Sequence, residues 1–189
     1  MKKSFIILIL ILVLAILLVS LAVLIILKHG AEKLYQNLPK IEKPAIPENI
    51  EDFLVKEEYI NYILYAISAN KLHSPLFSSN KPIIKFEIDS EVFISEVDSG
   101  LITTKKGNYA EEDLKFITSK QEIVNAINSE NIKDYFLESI NSGKSSYEIK
   151  ASNTELFAKG YLSLYTELTG EKVSISGSII KRIFNKINP

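Results

Sequence analysis

The chain has 189 residues, 47% of them hydrophobic, a formal net charge of −1, two histidines and no cysteine. The missing cysteines exclude disulfides, thiolate catalysis and Cys-ligated metals. All 23 acids lie between Glu32 and Glu171 with 15 Lys and no Arg, a balance of −8, and an acidic body without a basic face argues against a nucleic-acid partner.

The first element in chain order is Ser4–Leu27, 24 residues without a charge and nearly all Ile, Leu, Val or Ala. As a helix rising ~1.5 Å per residue it spans roughly 36 Å, more than the ~30 Å hydrocarbon core. A cleaved signal would have a shorter apolar region and a small-residue cleavage site. Here "LAVLIILKHG" stays apolar up to Lys28. Residues 1–28 therefore read as a permanent single-pass transmembrane anchor, with the lipid bilayer as its partner through Ser4–Leu27. The side of the soluble domain stays open. Lys28, Lys33, Lys40 and Lys43 favour a cytoplasmic domain, whereas the short stub with Lys2 and Lys3 looks like the start of a signal anchor.

Residues 29–47 read as a juxtamembrane segment followed by a spacer. Pro39, Pro44 and Pro47 fall within nine residues of each other, a density that gives a semi-rigid, extended connection.

A soluble domain is expected over residues 48–170. Ile50, Phe53, Leu54, Ile60, Ile63, Leu64 and Ile67 recur at helical spacing. After Pro75 and Pro82 the period drops to two: Ile84, Phe86 and Ile88 alternate with Lys85 and Glu87. "EVFISEV", "LITTKKG" and Asp113–Ile117 follow after the turns "DS" and "DSG", the pattern of an antiparallel meander. Helical spacing returns at "SKQEIVNAI", opened by a capping-box pair, Ser119 and Glu122. "NIKDYFLESINSG" gives a second helix with Ile132, Tyr135, Phe136 and Ile140 inward and Gly143 as its stop. "SSYEIKA" alternates as a fifth strand. A last helix over 152–170 opens with the capping box Ser152 to Glu155, and Leu156, Phe157, Gly160, Tyr161, Leu164, Tyr165 and Leu168 form its apolar stripe. The expected fold is α+β: one five-stranded, mainly antiparallel sheet with helices on one face.

Little in this order carries reaction chemistry. His29 falls at the membrane boundary, and His73 sits beside Ser74 in a loop, although triad members meet through the fold rather than as neighbours. The run Glu111, Glu112, Asp113 lacks the alternation and central glycine of a calcium loop, so it reads as a solvated turn. No phosphate-binding, dinucleotide or zincin pattern occurs. The expectation is a protein that is not an enzyme, with no cofactor and no metal. The stripe is more informative. Gly160 inside it implies that something approaches the backbone closely, and the stripe fits a filled core or the wall of a pocket, with periodicity alone favouring the core. The tail, residues 171–189, is basic and amphipathic. Ile179, Ile180, Ile183, Phe184 and Ile187 fall on one helical face and Lys181, Arg182 and Lys186 lie outside it. It suits either a helix on an anionic membrane surface or one closing the domain's core.

The order of elements, and the run from "DLKFITSKQEIVNAI" through "INSGKSSYEIKASNTELFAKGYLSLY", resembles the sterol carrier protein family. Asp113, Ser119, Gly143 and Ile149 occupy the matching places, and the likeness covers roughly residues 82 to 168. The resemblance implies a five-stranded sheet under helices with an apolar tunnel for sterols or acyl chains. Phe86, Phe93, Phe116, Ile123, Phe136, Phe157 and Tyr161 are the expected ligand-binding walls. After Ala151 this chain has "SNTE" where the family has a glycine-containing turn, and it carries an anchor and spacer. Both departures favour fixed binding over transfer. The expected function is a membrane-tethered, non-catalytic domain that binds an apolar ligand or lipid near the bilayer. The alternative is a membrane-anchored interaction module with a filled core, whose acidic surface recruits a protein partner.

Overall fold

A computed structural model describes residues 20–21, 41–47, 53–75, 78–108 and 110–170. The chain divides into two compact units, Met1–Pro39 and Lys40–Pro189. In the first, Ser20 and Leu21 are helical. The rest of the expected anchor, the juxtamembrane residues and the basic tail lie outside the described residues, among which no helix is long and apolar enough to cross a membrane.

The second unit contains the whole described hydrophobic core, from Ile46 to Leu168. Its elements are α1 (Glu57–Ala66), a 3-10 turn (Ala69–Lys71), β1 (Ile83–Ile88), β2 (Glu91–Asp98), β3 (Leu101–Lys106), β4 (Leu114–Thr118), α2 (Lys120–Asn128), α3 (Ile132–Asn141), β5 (Ser146–Ile149), α4 (Asn153–Ala158) and α5 (Tyr161–Thr169). The element order matches the change of hydrophobic period along the chain. Three details differ.

The first concerns the entry. The helix starts at Glu57, and residues 53–56 are irregular. Phe53 and Val55 are buried while Leu54 is exposed, so this stretch obeys a period of two. The end of the proline stretch also rests on the domain: Ile46 packs against the core, and the Tyr59 hydroxyl donates to the Ala45 carbonyl at 3.3 Å.

The second is a correction to the sheet, which is mixed and not mainly antiparallel in the meander sense. Its order is β3-β2-β1-β4-β5, with β1 and β4 parallel and the other pairs antiparallel. The hairpins close tightly, with Ile88 opposite Glu91 and Asp98 opposite Leu101, and Ser99 and Gly100 both take positive φ as a type I′ turn requires. After β3 the chain leaves that edge and β4 inserts beside β1. The composition explains why. "LITTKK" is polar enough for an edge, where charged side chains deter further pairing, whereas Leu114 and Phe116 of β4 need two neighbours. Asp113 fixes the register, its N–H donating to the Ile83 carbonyl (2.9 Å) and its carboxylate accepting from the Ile83 N–H (2.8 Å).

The third is that the expected last helix is two. Gly160 stands between α4 and α5 with φ +85°, a left-handed conformation that stops one helix and starts the next.

One sheet face carries Ile84, Phe86, Ile88, Phe93, Val97, Leu114 and Phe116, all buried, and the helices pack over it. The other is a lattice of charge: Lys85 meets Glu87 and Glu112, and Lys115 meets Glu87 and Glu148.

Candidate ligand pocket

Alternation in β4 and β5 aims Leu114, Phe116, Tyr147 and Ile149 at the helical layer, where cross-strand register sets Phe116 opposite Tyr147 and Leu114 opposite Ile149. The i, i+3, i+4, i+7 spacing of α5 turns Tyr161, Leu164, Tyr165 and Leu168 toward the same space. Phe136, Leu137 and Ile140 of α3 close the third side. Together they bound a cavity of about 80 Å³. Asn141 at its rim is exposed, while Ile67 and Ile84 at its base are fully buried, so it opens beside the ends of α3 and α5.

The expected walls divide accordingly. Phe116, Phe136 and Tyr161 line the cavity, with the Phe116 and Phe136 rings edge to face at 4.9 Å. Phe86 on β1 and Phe93 on β2 are fully buried core and are not part of its lining. Ile123 borders a separate hollow of about 10 Å³ under α2 and α3. Phe157 is 51% exposed and lies outside the cavity, because the break at Gly160 takes it off the stripe that α5 continues. Sequence reasoning also left out Leu137, Asn141, Tyr147, Leu156 and Leu164 as walls. The alternation of "SSYEIKA" marks Tyr147 as inward, but no local signal places it against α5.

Three polar clusters hold the walls. At the base, the Lys159 ammonium donates to Asp113 Oδ1 at 2.6 Å, and the Tyr161 hydroxyl donates to Oδ2 at 3.1 Å. Lys159 is 2% exposed and Asp113 6%, so the run Glu111–Asp113 is not a solvated turn throughout: its last carboxylate is a buried anchor. Burial first, and the Asp113 charge second, push the Tyr161 phenol well above its ordinary value, so it stays a donor. Burial likewise pushes Tyr147 up to about 12, with Tyr165 a smaller cause.

On the outer side of α5, Glu167 accepts from Lys71 (2.6 Å), Lys133 (2.9 Å) and Ser68 (2.8 Å). The Lys71 ammonium is the main cause holding the Glu167 carboxyl down at about 2, and Lys133 and Ser68 add to it. The third cluster ties α2 to α3. Ser119 accepts from the Glu122 N–H, but the Glu122 carboxylate turns away from its cap to accept from Tyr135 (2.9 Å) and Ser139 (2.7 Å). Only half of that capping box forms, while the box at Ser152 and Glu155 is complete. His73 is exposed, with Nδ1 3.1 Å from the Ser74 carbonyl. Its ring is what approaches Gly160, where an added Cβ would lie 3.3 Å from Nε2.

No family model matches the chain, and no curated protein matches it in sequence. Among solved structures it is similar to a UbiJ-SCP2 ubiquinone synthesis protein at 13% identity and a TM-score of 0.36, over 68% of this chain and 100% of that one. It is similar to the stereoselective inverting sec-alkylsulfatase Pisa1 from Pseudomonas sp. at 10% identity and a TM-score of 0.35, over 66% of this chain and 17% of that one. A third likeness is to Sterol Carrier Protein 2 Like 2 from Aedes aegypti, at 16% identity and a TM-score of 0.28, over 53% of this chain and 92% of that one. The chain thus spans less than a fifth of the alkylsulfatase. What the cavity takes has to be read from its own walls.

Proposed function

We propose that this chain is a membrane-tethered, non-catalytic domain that binds an apolar ligand or lipid near the bilayer surface. The observation that carries the reading is the open cavity of about 80 Å³ between β4, β5, α3 and α5, walled by Phe116, Phe136, Tyr147, Tyr161 and Leu164. A well-packed core leaves no such space, since even small voids forfeit contacts and transfer energy. Among the described residues, the lining offers no carboxylate, imidazole or amine to a reacting group, which supports binding over catalysis. The tether rests on the uncharged Ser4–Leu27 run.

The volume restricts the occupant. Drug-sized ligands fill roughly 300–1,000 Å³, and an engineered cavity of about 150 Å³ takes benzene. A space of about 80 Å³ admits part of one chain, with the remainder outside. The methylenes inside gain ~0.8 kcal/mol each relative to water, but almost nothing relative to a bilayer. Selection therefore comes from fit.

Native mass spectrometry on the Lys40–Pro189 unit, produced in a lipid-containing cell, tests the reading. A stoichiometric co-purifying lipid is expected. A clean apo mass, unchanged by incubation with single-chain lipids, would sink it and direct attention to a protein partner.

A further inference from the structure

We infer that the cavity selects by charge: its occupant is an uncharged single-chain lipid with a hydrogen-bond donor at its polar end, such as a long-chain alcohol, and carboxylates of the same chain length are excluded. The inference rests on the pocket reading above and deepens it.

Two independent features point the same way. Among the described residues, none that lines the cavity is charged; the polar ones are Asn141, Tyr147, Tyr161, Tyr165 and Thr169. An anion drawn into such a lining meets no cation to replace its water. The second feature is the direction of the helices. α3 ends at Asn141 and α5 at Thr169, and both residues line the cavity at its open side. Two helix C-termini therefore converge where the polar end of an inserted chain would rest. The Glu138, Ser139 and Ile140 carbonyls of α3 already accept from the N–H groups that follow. Each terminus therefore acts through the negative end of its dipole, which repels a carboxylate or phosphate, and the Asn141 amide oxygen can accept from a hydroxyl. The base offers no compensation among the described residues, because the buried Lys159 ammonium near it is already taken by Asp113 at 2.6 Å. Nor do the cations on the outer side of α5 help. Lys71 and Lys133 are both held by Glu167.

The test is a pair of titrations of nitrogen-labelled Lys40–Pro189, the unit that holds the entire described core, with 1-decanol and with decanoate at mildly alkaline pH, where the acid is ionised. Amide shifts of Ile140, Leu164 and Leu168 report occupancy of the cavity. The alcohol is expected to bind more tightly than the acid by about tenfold or more. Thr169→Lys, which places an ammonium at the rim, is expected to bring decanoate close to parity, and Asn141→Lys on the facing helix serves if the first variant fails to fold. Equal binding of both ligands to the unaltered unit would overturn the charge selection while leaving the pocket intact. So would continued exclusion of decanoate by folded rim-lysine variants. If neither ligand moves these amides, the pocket reading itself fails and the inference falls with it.

Discussion

Asp113 joins three parts of the chain to the start of β4 through five groups. Its carboxylate accepts from Ile83, Lys159 and Tyr161, and its carbonyl accepts from the N–H groups of Lys150 and Ala151. The start of β1, the end of β5 and the α4–α5 junction all meet there. Lys159→Ala leaves that carboxylate buried without its counter-charge, a change that typically costs ~3–5 kcal/mol. Chemical denaturation should show a loss of that size, and a loss below ~1 kcal/mol would mean the pair is solvated. Tyr161 separates packing from hydrogen bonding. Tyr161→Phe removes only the donor to Asp113 and should cost ~1 kcal/mol, while Tyr161→Ala also removes the ring and should cost ~3–5 kcal/mol. Because the ring lines the cavity, the Ala loss is expected at the lower end of that range, with ligand uptake changed most.

At the scale of elements, the joint between α4 and α5 and the clasp on α5 decide how the cavity wall is held. Gly160 has φ +85° and the His73 ring stands where its Cβ would go. Gly160→Ala therefore meets two obstacles, of which the left-handed backbone alone costs ~1–2 kcal/mol. Adding His73→Ala should recover only the steric part. Full recovery in the double variant would show that the backbone conformation carries no strain. The clasp gives a pH dependence. Glu167 has a folded pKa of about 2, below its ordinary 4.5, so its contribution is complete above 4.5 and is lost as pH falls toward 2. The site is partly exposed, so screening reduces the contribution to on the order of 1 kcal/mol. Glu167→Gln should lower stability by that amount near neutral pH and match the unaltered protein near pH 2, as read from melting curves across the acid range. A gap that stays constant with pH would dismiss the clasp.

Taken whole, the molecule has a sheet with one apolar and one ionic face, and the two respond differently to mutation. Pairs such as Lys115 with Glu148, at 3.1 Å, bridge partly exposed side chains and should each contribute less than ~1 kcal/mol. Filling the cavity acts on the opposite face. Ile140→Trp is expected to preserve or raise thermal stability while abolishing lipid uptake; uptake that survives in a folded variant would place the ligand elsewhere. Much of this architecture was legible in the sequence, because a change of period from 3.6 to two marks where helix gives way to strand. Pairing was not. Alternation in "DLKFIT" says that Leu114 and Phe116 face inward, but it is silent on which strand lies beside them, and an unbroken meander satisfied the same pattern. The site was half legible for a related reason. A helical wheel holds its phase only while the helix continues, so the left-handed turn at Gly160 detached Phe157 from the stripe and sent Lys159 to Asp113. The Asp113 anchor itself was hidden because two acidic neighbours make it look like surface.

The parallel pairing of β1 with β4 also bears on how the chain emerges from synthesis. Ile83 and the Asp113 that caps it are separated by 30 residues, a stretch that includes the β1–β2 and β2–β3 hairpins. Until residues 114–118 arrive, a nascent chain holds a three-stranded sheet whose most apolar strand is its open edge, a template for pairing with another chain. Closing that gap requires a contact distant in sequence, which is slower to form than a hairpin. The central strand thus stays open on one side until β4 arrives, and β4 in turn until β5 does, and those intervals are when this protein is most exposed to aggregation.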